Sequence, residues 1–439
     1  MTRRRFGRST LVLCGLMLSA SPGLSQAETS VYVANASSGN VSQYDVLAGG
    51  GLAPKPTSSV DAGAYPAGVA VSPDGKNVYV TNDSSGDISQ YTVGAGGELV
   101  PKEPDRVVSG GGPVGVAVRP DGRSVYVVNP FSSNGPVENL WQYDVDATGG
   151  LAPKTPSTVT SDQATFAVVV SPDGRSVYAT NESSNDVSQY DADASGRLTP
   201  KASPTVATGR FPVGLAVSPN GRSVFVSNYF DNTISQYDVD ASGALTPKAN
   251  PTVQAGTGPD GMAMSPDGKS LYLANGGDGR DNTTSSVWQY AVGADGALTH
   301  DPSATVGAGA TPFAVAVNPD GKSVYVTNQF SDDISQYDVV AGGRLAPKPS
   351  ATVAAGQRPF AIATAVSPAA ARHCVVPKLK GKTLAASKRA LRTAHCKLGK
   401  VTRRHSRSVR KGRVIAQRPK PGTRKEVGGA VAITLSRGR

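Results

Sequence analysis

VYVAN, residues 31–35, is the first of seven versions of one phrase. It returns as VYVTN (78–82), VYVVN (125–129), VYATN (177–181), VFVSN (224–228), LYLAN (271–275) and VYVTN (324–328). The closing asparagines lie 47, 47, 52, 47, 47 and 53 residues apart. One whole unit runs from Pro212 to Gly256. It opens with PVGLAV, turns at SPNG and continues as SVFVSN. A polar loop, TISQYDV, the loop DASGALTPKA and a closing PTVQAG follow. Short β-rich runs bounded by Gly, Pro, Asn and Asp predict four antiparallel strands, named A to D from the inside out.

Strand A is small and aliphatic, as in GVAV at Gly68 and Gly115, GLAV at Gly214 and GMAM at Gly261. That suits the innermost strand of a tapering blade. The A–B link is SPDG or a variant at Ser72, Arg119, Ser171, Ser218, Ser265 and Asn318. Pro presets φ there, Asp closes an Asx bond and Gly supplies positive φ. Strand C carries SQY or WQY, ending at Tyr44, Tyr91, Tyr143, Tyr190, Tyr237, Tyr290 and Tyr337. A repeat of this length and strand content predicts a mainly β chain whose units are β-propeller blades. The first VYVAN has no strand A before it, and PFAIATAV (359–366) has no strand B after it. Joining the two completes a seventh blade and closes the ring, which leaves no exposed sheet edge.

The two ends differ in kind from the ring. Residues 1–27 read as a signal peptide: Arg3, Arg4, Arg5 and Arg8, an apolar run from Ser9 to Ala20, then Ser25-Gln26-Ala27. TRRRFGR at Thr2 also resembles a twin-arginine export signal. The apolar run is too short for a membrane span, so no transmembrane segment is expected. From Arg372 onward, 21 Lys and Arg face a single acid, Glu426. The segment 28–371 holds 19 basic and 32 acidic residues. The net +11 therefore hides an acidic ring (−13) and a basic tail (+20).

The tail has a pattern of its own. TLAASKRALRTA from Thr383 has a helical apolar period with a Thr N-cap, and KLGKVTRRHS, RVIAQRP and AVAITLS read as strands. VPKLKGKTLAASKRAL, VIAQRPKPGT and the later Gly428 and Gly429 closely resemble a PASTA domain. That resemblance implies binding to peptidoglycan, muropeptides or β-lactams at a bacterial surface. Two cysteines, Cys374 and Cys396, remain once the leader is removed. An even pair in a small exported domain suggests a disulfide, worth roughly 3 kcal/mol by the chain-entropy estimate. The expected divisions are a signal peptide (1–27), a propeller (28–368), a linker (369–373) and a small α+β domain (374–439).

VYVTN combined with SPDG resembles the YVTN repeats and the wider lactonase-like group that includes 6-phosphogluconolactonases. The resemblance covers residues 28–366 and implies the fold. Enzymes of that group are associated with His, Arg and acidic side chains near the central channel. This ring has one histidine, His300, expected on the outer part of its blade, so no catalytic residue is carried over. A calcium-dependent lactonase would draw ligands from Asp83, Glu182, Asp231, Asp260, Asn82 and Asn181. Set against that, each VYVTN asparagine is expected to cap its own loop through backbone groups. DVDATG at Asp144, DADASG at Asp191 and DVDASG at Asp238 imitate the start of a calcium loop. They lack the twelfth-position Glu and read better as polar turns. No cofactor is expected, calcium being the sole alternative.

Recognition has a clearer address. The B–C and D–A loops share one face, which gathers Tyr65, Phe131, Phe166, Phe211, Tyr229, Phe230, Phe313, Phe330 and Phe360 with Arg210, Arg280 and Arg358. Aromatic and guanidinium groups suit a glycan, peptide or protein ligand. The same phenylalanines would also serve as plugs between blades. Two long B–C loops, from Pro130 and from Gly276, precede WQY at Trp141 and Trp288 and are expected to wall a cleft. The composite expectation is a secreted, cell-wall-associated, non-catalytic binding or scaffold propeller. Its basic tail would hold it to peptidoglycan or anionic wall polymers. Nucleic acid is not an expected partner of an exported chain. A lactonase-like hydrolase and a surface adhesion protein are the alternatives.

Overall fold

The computed structural model describes residues 29–130, 140–277, 285–366, 374–393, 396–425 and 429–438. The leader, the central parts of both long B–C loops, Phe131 and Arg280 lie outside the described residues. Seven antiparallel sheets make seven blades. Blade 5 is typical, with strand A Pro212–Val217, B Ser223–Asn228, C Thr233–Val239 and D Leu245–Gln254. Blade 1 is the composite one. Its strand A is Pro359–Val366, and its strands B to D are Thr29–Asn35, Asn40–Val46 and Leu52–Asp61. The two chain ends pair from Thr29 with Val366 to Asn35 with Pro359, as the broken repeat required.

One boundary differs from the sequence reading. Strand D starts at Leu245 and not after the TPKA segment. Its first half pairs Leu245 with Val239, a bulge follows, and Val253 then pairs with Ile234. The proline in that half sits on the outer edge strand, where a missing N–H costs no ladder bond. The C–D link is thereby shortened to a turn closed by Asp240, which accepts from Ser242 N and Oγ and Ala244 N.

Burial is concentrated in strands B and C. Tyr32, Tyr79, Tyr126, Tyr178, Tyr272 and Tyr325 are fully buried between blades. Each donates its hydroxyl to a glycine carbonyl in the C–D turn of the next blade, as Tyr32 does to Gly97 at 2.7 Å. Phe225 of blade 5 replaces that tyrosine and lacks the hydroxyl. The strand-C tyrosines reach the other way. Tyr237 donates to Ala207 O of blade 4, and Tyr44 closes the ring onto Ala354 of blade 7.

The strand-C glutamine links the blades most uniformly. Its Oε1 accepts from the first N–H of the next blade's strand D in all seven cases. Its Nε2 donates back to its own strand D in six blades, as from Gln189 to Ser203 O at 3.1 Å. A lysine on strand D adds a further tie. Lys201 pairs with Asp191 and reaches Ser242 O of blade 5. Equivalent lysines serve every blade except blade 6, where Asp301 stands instead.

The small C-terminal domain has its own core of Val376, Leu379, Leu391, Cys396, Val414, Val431, Ile433 and Leu435. Its helix is Leu384–Thr393, and Thr383 Oγ1 accepts from Ala386 N at the helix start. Strands Lys397–Arg404, Val414–Arg418 and Ala430–Ser436 form one sheet with the last in the middle. All three strands and the helix fall where the sequence placed them.

Replacing Gln189 by Leu strands the buried Leu245 N–H and removes the donor to Ser203 O. An unsatisfied buried donor costs about 1–3 kcal/mol. Denaturant unfolding of Q189L should show that loss, and a midpoint equal to the parent's would mean the bridge contributes nothing.

Candidate functional site

Antiparallel blades put the B–C and D–A loops on one face. The D–A loop enters strand A through a repeated left-handed residue: Tyr65, Ala164, Phe211, Gly258, Thr311 and Arg358 all have φ between 53° and 59°. This conformation is uncommon for non-glycine residues and persists only where neighbours hold it. One brace is Asn185 Oδ1, which accepts from Phe211 N at 2.8 Å. Its counterpart in blade 7, Asp332, accepts from Arg358 N.

The sequence-predicted aromatics fall into two groups on this face. Phe211, Tyr229 and Phe230 form one, with ring centroids 4.8–6.1 Å apart. Tyr65, Phe360 and Phe313 form the other around the closure blade, and the Arg358 guanidinium lies 5.5 Å over Tyr65. Phe313 and Phe360 sit on the strands A of adjacent blades with centroids 4.2 Å apart, so they do fill the space between blades. Phe166 occupies the same register of blade 4 and is half-buried. Phe230 and Phe330 are largely in solvent, at 56% and 63% exposure. Arg210 is held by Asp231, whose carboxylate takes its N–H and Nε. That pairing, led by the Arg210 backbone bond, keeps Asp231 below the usual carboxylate range.

Two acids behave differently. Asp260, second residue of strand A in blade 6, is 5% exposed. Burial, reinforced by the charge of Glu182, pushes its carboxyl well up. Glu182, first residue after the blade 4 asparagine, is pushed by burial up to about 7. No hydrogen bond contributes to either shift. The backbone permits this crowding at two glycines. A methyl group at Gly214 would meet Asp260 O at 2.3 Å, and one at Gly276 would meet its Oδ2 at 2.8 Å. Asp83, at Glu182's register in blade 2, is also raised by burial.

The repeated asparagines do a structural job, but with different partners from those expected. Asn82, Asn181 and Asn328 donate Nδ2 to a strand-C aspartate and to the serine of SQY. These are side-chain partners. Asn35 and Asn228 also accept from Gly356 N and Gly209 N, and Asn129 donates to Ser109 O, all D–A loop backbone and none of it the asparagine's own B–C loop. In blade 6 Trp288 replaces the serine, and neither side-chain atom of the buried Asn275 has a partner among the described residues. Trp288 stacks instead on His300 at 4.0 Å, which holds that histidine on the outer strand. The calcium-like triplets are closed turns. Asp193, for one, accepts from Ser195 N and Oγ and Arg197 N. Among the described residues no cluster of three or more His, Cys, Asp or Glu has the spacing of a metal site.

The sequence reading missed the glutamines of SQY and the lysines of the LxPK motif. Their presence in seven and six repeats was the available signal. It also missed that grooves open on the opposite face. One of about 900 Å³ lies between blades 5 and 6, lined by Asn220, Arg222, Asp238, Asp240, Asp267 and Asp295.

Glu182 sets a pH test. Folded, it keeps its proton up to about pH 7; unfolded, it loses the proton near 4.5. Stability contributed by the proton is therefore full below 4.5 and falls as pH rises toward 7. The raised Asp260 acts with the same sign. Denaturant midpoints of Glu182→Gln should decline less steeply across that window than those of the parent. An identical slope would place the Glu182 carboxyl in water.

A family model described as a lactonase, seven-bladed beta-propeller, matches residues 23–151, 133–263 and 257–362. A PASTA domain model matches residues 375–437. No curated protein sequence matches the chain significantly. Among solved structures, the Pseudomonas aeruginosa periplasmic gluconolactonase PpgL is similar at 21% identity, over 77% of this chain and 99% of its own, with TM-score 0.64. A candidate 6-phosphogluconolactonase from Bacteroides fragilis is similar at 20% identity, over 78% and 99%, with TM-score 0.64. A functionally unknown protein from Desulfotomaculum acetoxidans is similar at 17% identity, over 77% and 98%, with TM-score 0.61. At such identities the likeness to these structures concerns the fold. The propeller match spans well over half of the sequence, so the chain belongs to the lactonase family of seven-bladed β-propellers and ends in a PASTA domain.

Proposed function

We propose that this is an exported, cell-wall-associated protein whose propeller is a non-catalytic binding or scaffold module, anchored by its basic PASTA domain to peptidoglycan or anionic wall polymers. One observation carries the reading. Every lysine and arginine of the small domain whose side chain is described is exposed, around a compact apolar core. Such a surface attracts polyanions through a field that salt screens. The leader at 1–27 supplies export, and the divisions at 28–368, 369–373 and 374–439 belong to this reading. Among the described residues no helix is long and apolar enough to cross a membrane. We assign the chain no cofactor and no nucleic-acid partner. The propeller's ligand, a glycan, peptide or protein, would meet the loop face at Tyr65, Phe211, Tyr229, Phe230, Phe330 and Arg358. We also propose a Cys374–Cys396 disulfide, supported by burial of Cys396 in the domain core. Non-reducing peptide maps test it, and two separate thiol peptides would exclude it.

The mature protein should co-sediment with purified peptidoglycan, and a form ending at Ala371 should not. Stripping the wall of its anionic polymers, or adding salt, distinguishes the two wall ligands. Equal sedimentation of the shortened form would move the anchor to the propeller.

Glu182 and Asp260 favour a second reading, a lactonase-like hydrolase. A carboxyl that titrates near pH 7 suits general acid–base work. Ionised, it would take a proton from the water that attacks a lactone carbonyl. As the acyl–oxygen bond breaks it would return that proton to the ring oxygen, which leaves as the hydroxyl of the opened acid. A calcium ion would belong to this reading alone. A pH-stat assay with a panel of lactones checks it. Turnover that drops about 100-fold or more in E182Q supports it, and turnover no faster than buffer excludes it.

A further inference from the structure

Charge is distributed very unevenly between the two faces of the ring. The A–B and C–D turns with their strand ends carry sixteen acidic and fifteen basic side chains. The described part of the B–C and D–A face, with its strand ends, carries ten acidic side chains against Arg106, Arg210 and Arg358. The excess of negative charge thus belongs to one face. It is densest on blades 4 to 6, where Asp162, Glu182, Asp186, Asp231 and Asp260 face Arg210 alone among the described residues. Arg210 is already held by Asp231. The carboxyl groups of Glu182 and Asp260 accept no described hydrogen bond, although Asp260 is buried and Glu182 half-buried. On the same face Phe230 stands 56% exposed, a large apolar side chain in solvent.

The complementary surface is in the same sequence. The last propeller strand ends at Val366, paired with Thr29 at the A–B-turn edge, which is the opposite face. Residues 367–373 separate it from the strand that opens the basic domain at Cys374. Seven residues span at most about 25 Å. A strand of eight residues is itself about 26 Å tall at roughly 3.3 Å per residue. Strand A is innermost, and blade 1 lies across the ring from blades 4 and 5. The chain's own basic domain therefore has too short a tether to round the disc and reach the acidic patch.

We propose that the acidic loop face of blades 4 to 6 docks the basic C-terminal domain of a second copy, so that chains associate head to tail. Such a contact is heterologous and, without a closing rotation, extends into open chains. The proposal is independent of wall binding and is tested in solution without wall material. A mixture of isotopically light and heavy full-length protein is treated with a zero-length carbodiimide at low ionic strength. Light-to-heavy links should join tail lysines such as Lys388 and Lys400 to acids of blades 4 to 6. Sedimentation velocity should show association that weakens at least tenfold between about 0.05 and 0.5 M salt, the direction screening demands. Asp162→Lys with Phe230→Ala should weaken it similarly. Lys388→Glu with Lys400→Glu, on exposed tail positions, gives a second route that leaves the ring untouched. A monomer at low salt at every concentration overturns the proposal. So do links confined to single copies, or association undiminished in both variants.

Discussion

Each strand-C glutamine holds two blades at once, and the ring depends on that double attachment. Its carbonyl oxygen accepts from the strand-D amide of the next blade, and its amide nitrogen, in six blades, donates to its own strand D. A buried primary amide satisfied at both ends is costly to remove and inert to pH. Seven of them set end to end make a circuit with no first member. The tyrosines of strands B and C and the lysines of strand D run along the same seams, in both directions. Blade identity then matters little: any blade that offers Gln, Tyr and Lys at those registers fits its neighbours.

Much of this architecture was legible because repeats make structural constraints visible. A residue present seven times is doing seven similar jobs. The blade count and the composite blade followed from that logic, and the strands of the small domain from its own apolar pattern. Strand D was placed too late because two of its residues are prolines or follow them, and its outer-edge position is a tertiary fact. The asparagine partners were misjudged for a related reason. A side chain that could bond local backbone meets a serine from the next strand only after the sheet forms.

The candidate site is legible in the opposite sense, as departures from the repeat. At the register after the asparagine stand Ala36, Asp83, Pro130, Glu182, Tyr229, Gly276 and Gln329. At the second position of strand A, Asp260 stands where other blades carry Ala, Val or Phe. The sequence names these acids but does not show that Glu182 and Asp260 sense each other, because a whole blade separates them along the chain. Only the curvature of the ring brings their fields together. The same curvature divides the aromatics into two groups, which the linear list presents as one.

Blade 6 keeps its glutamine and strand-C tyrosine ties but lacks one shared tie at each of its two joints. It receives no hydroxyl from Phe225 of blade 5 and sends no lysine to blade 7. Its asparagine side chain has no partner among the described residues. Arg344 of blade 7 bonds back to Ser303 in partial replacement. The composite blade, by contrast, has its full set of ties: Leu52 to Gln336, Tyr325 to Gly50, Tyr44 to Ala354 and Lys348 to Gly49. The break in the covalent chain and the joints with a tie missing are therefore in different places. A bracelet of this kind is fully tied at its clasp, and its missing ties fall at the link beside Asp260.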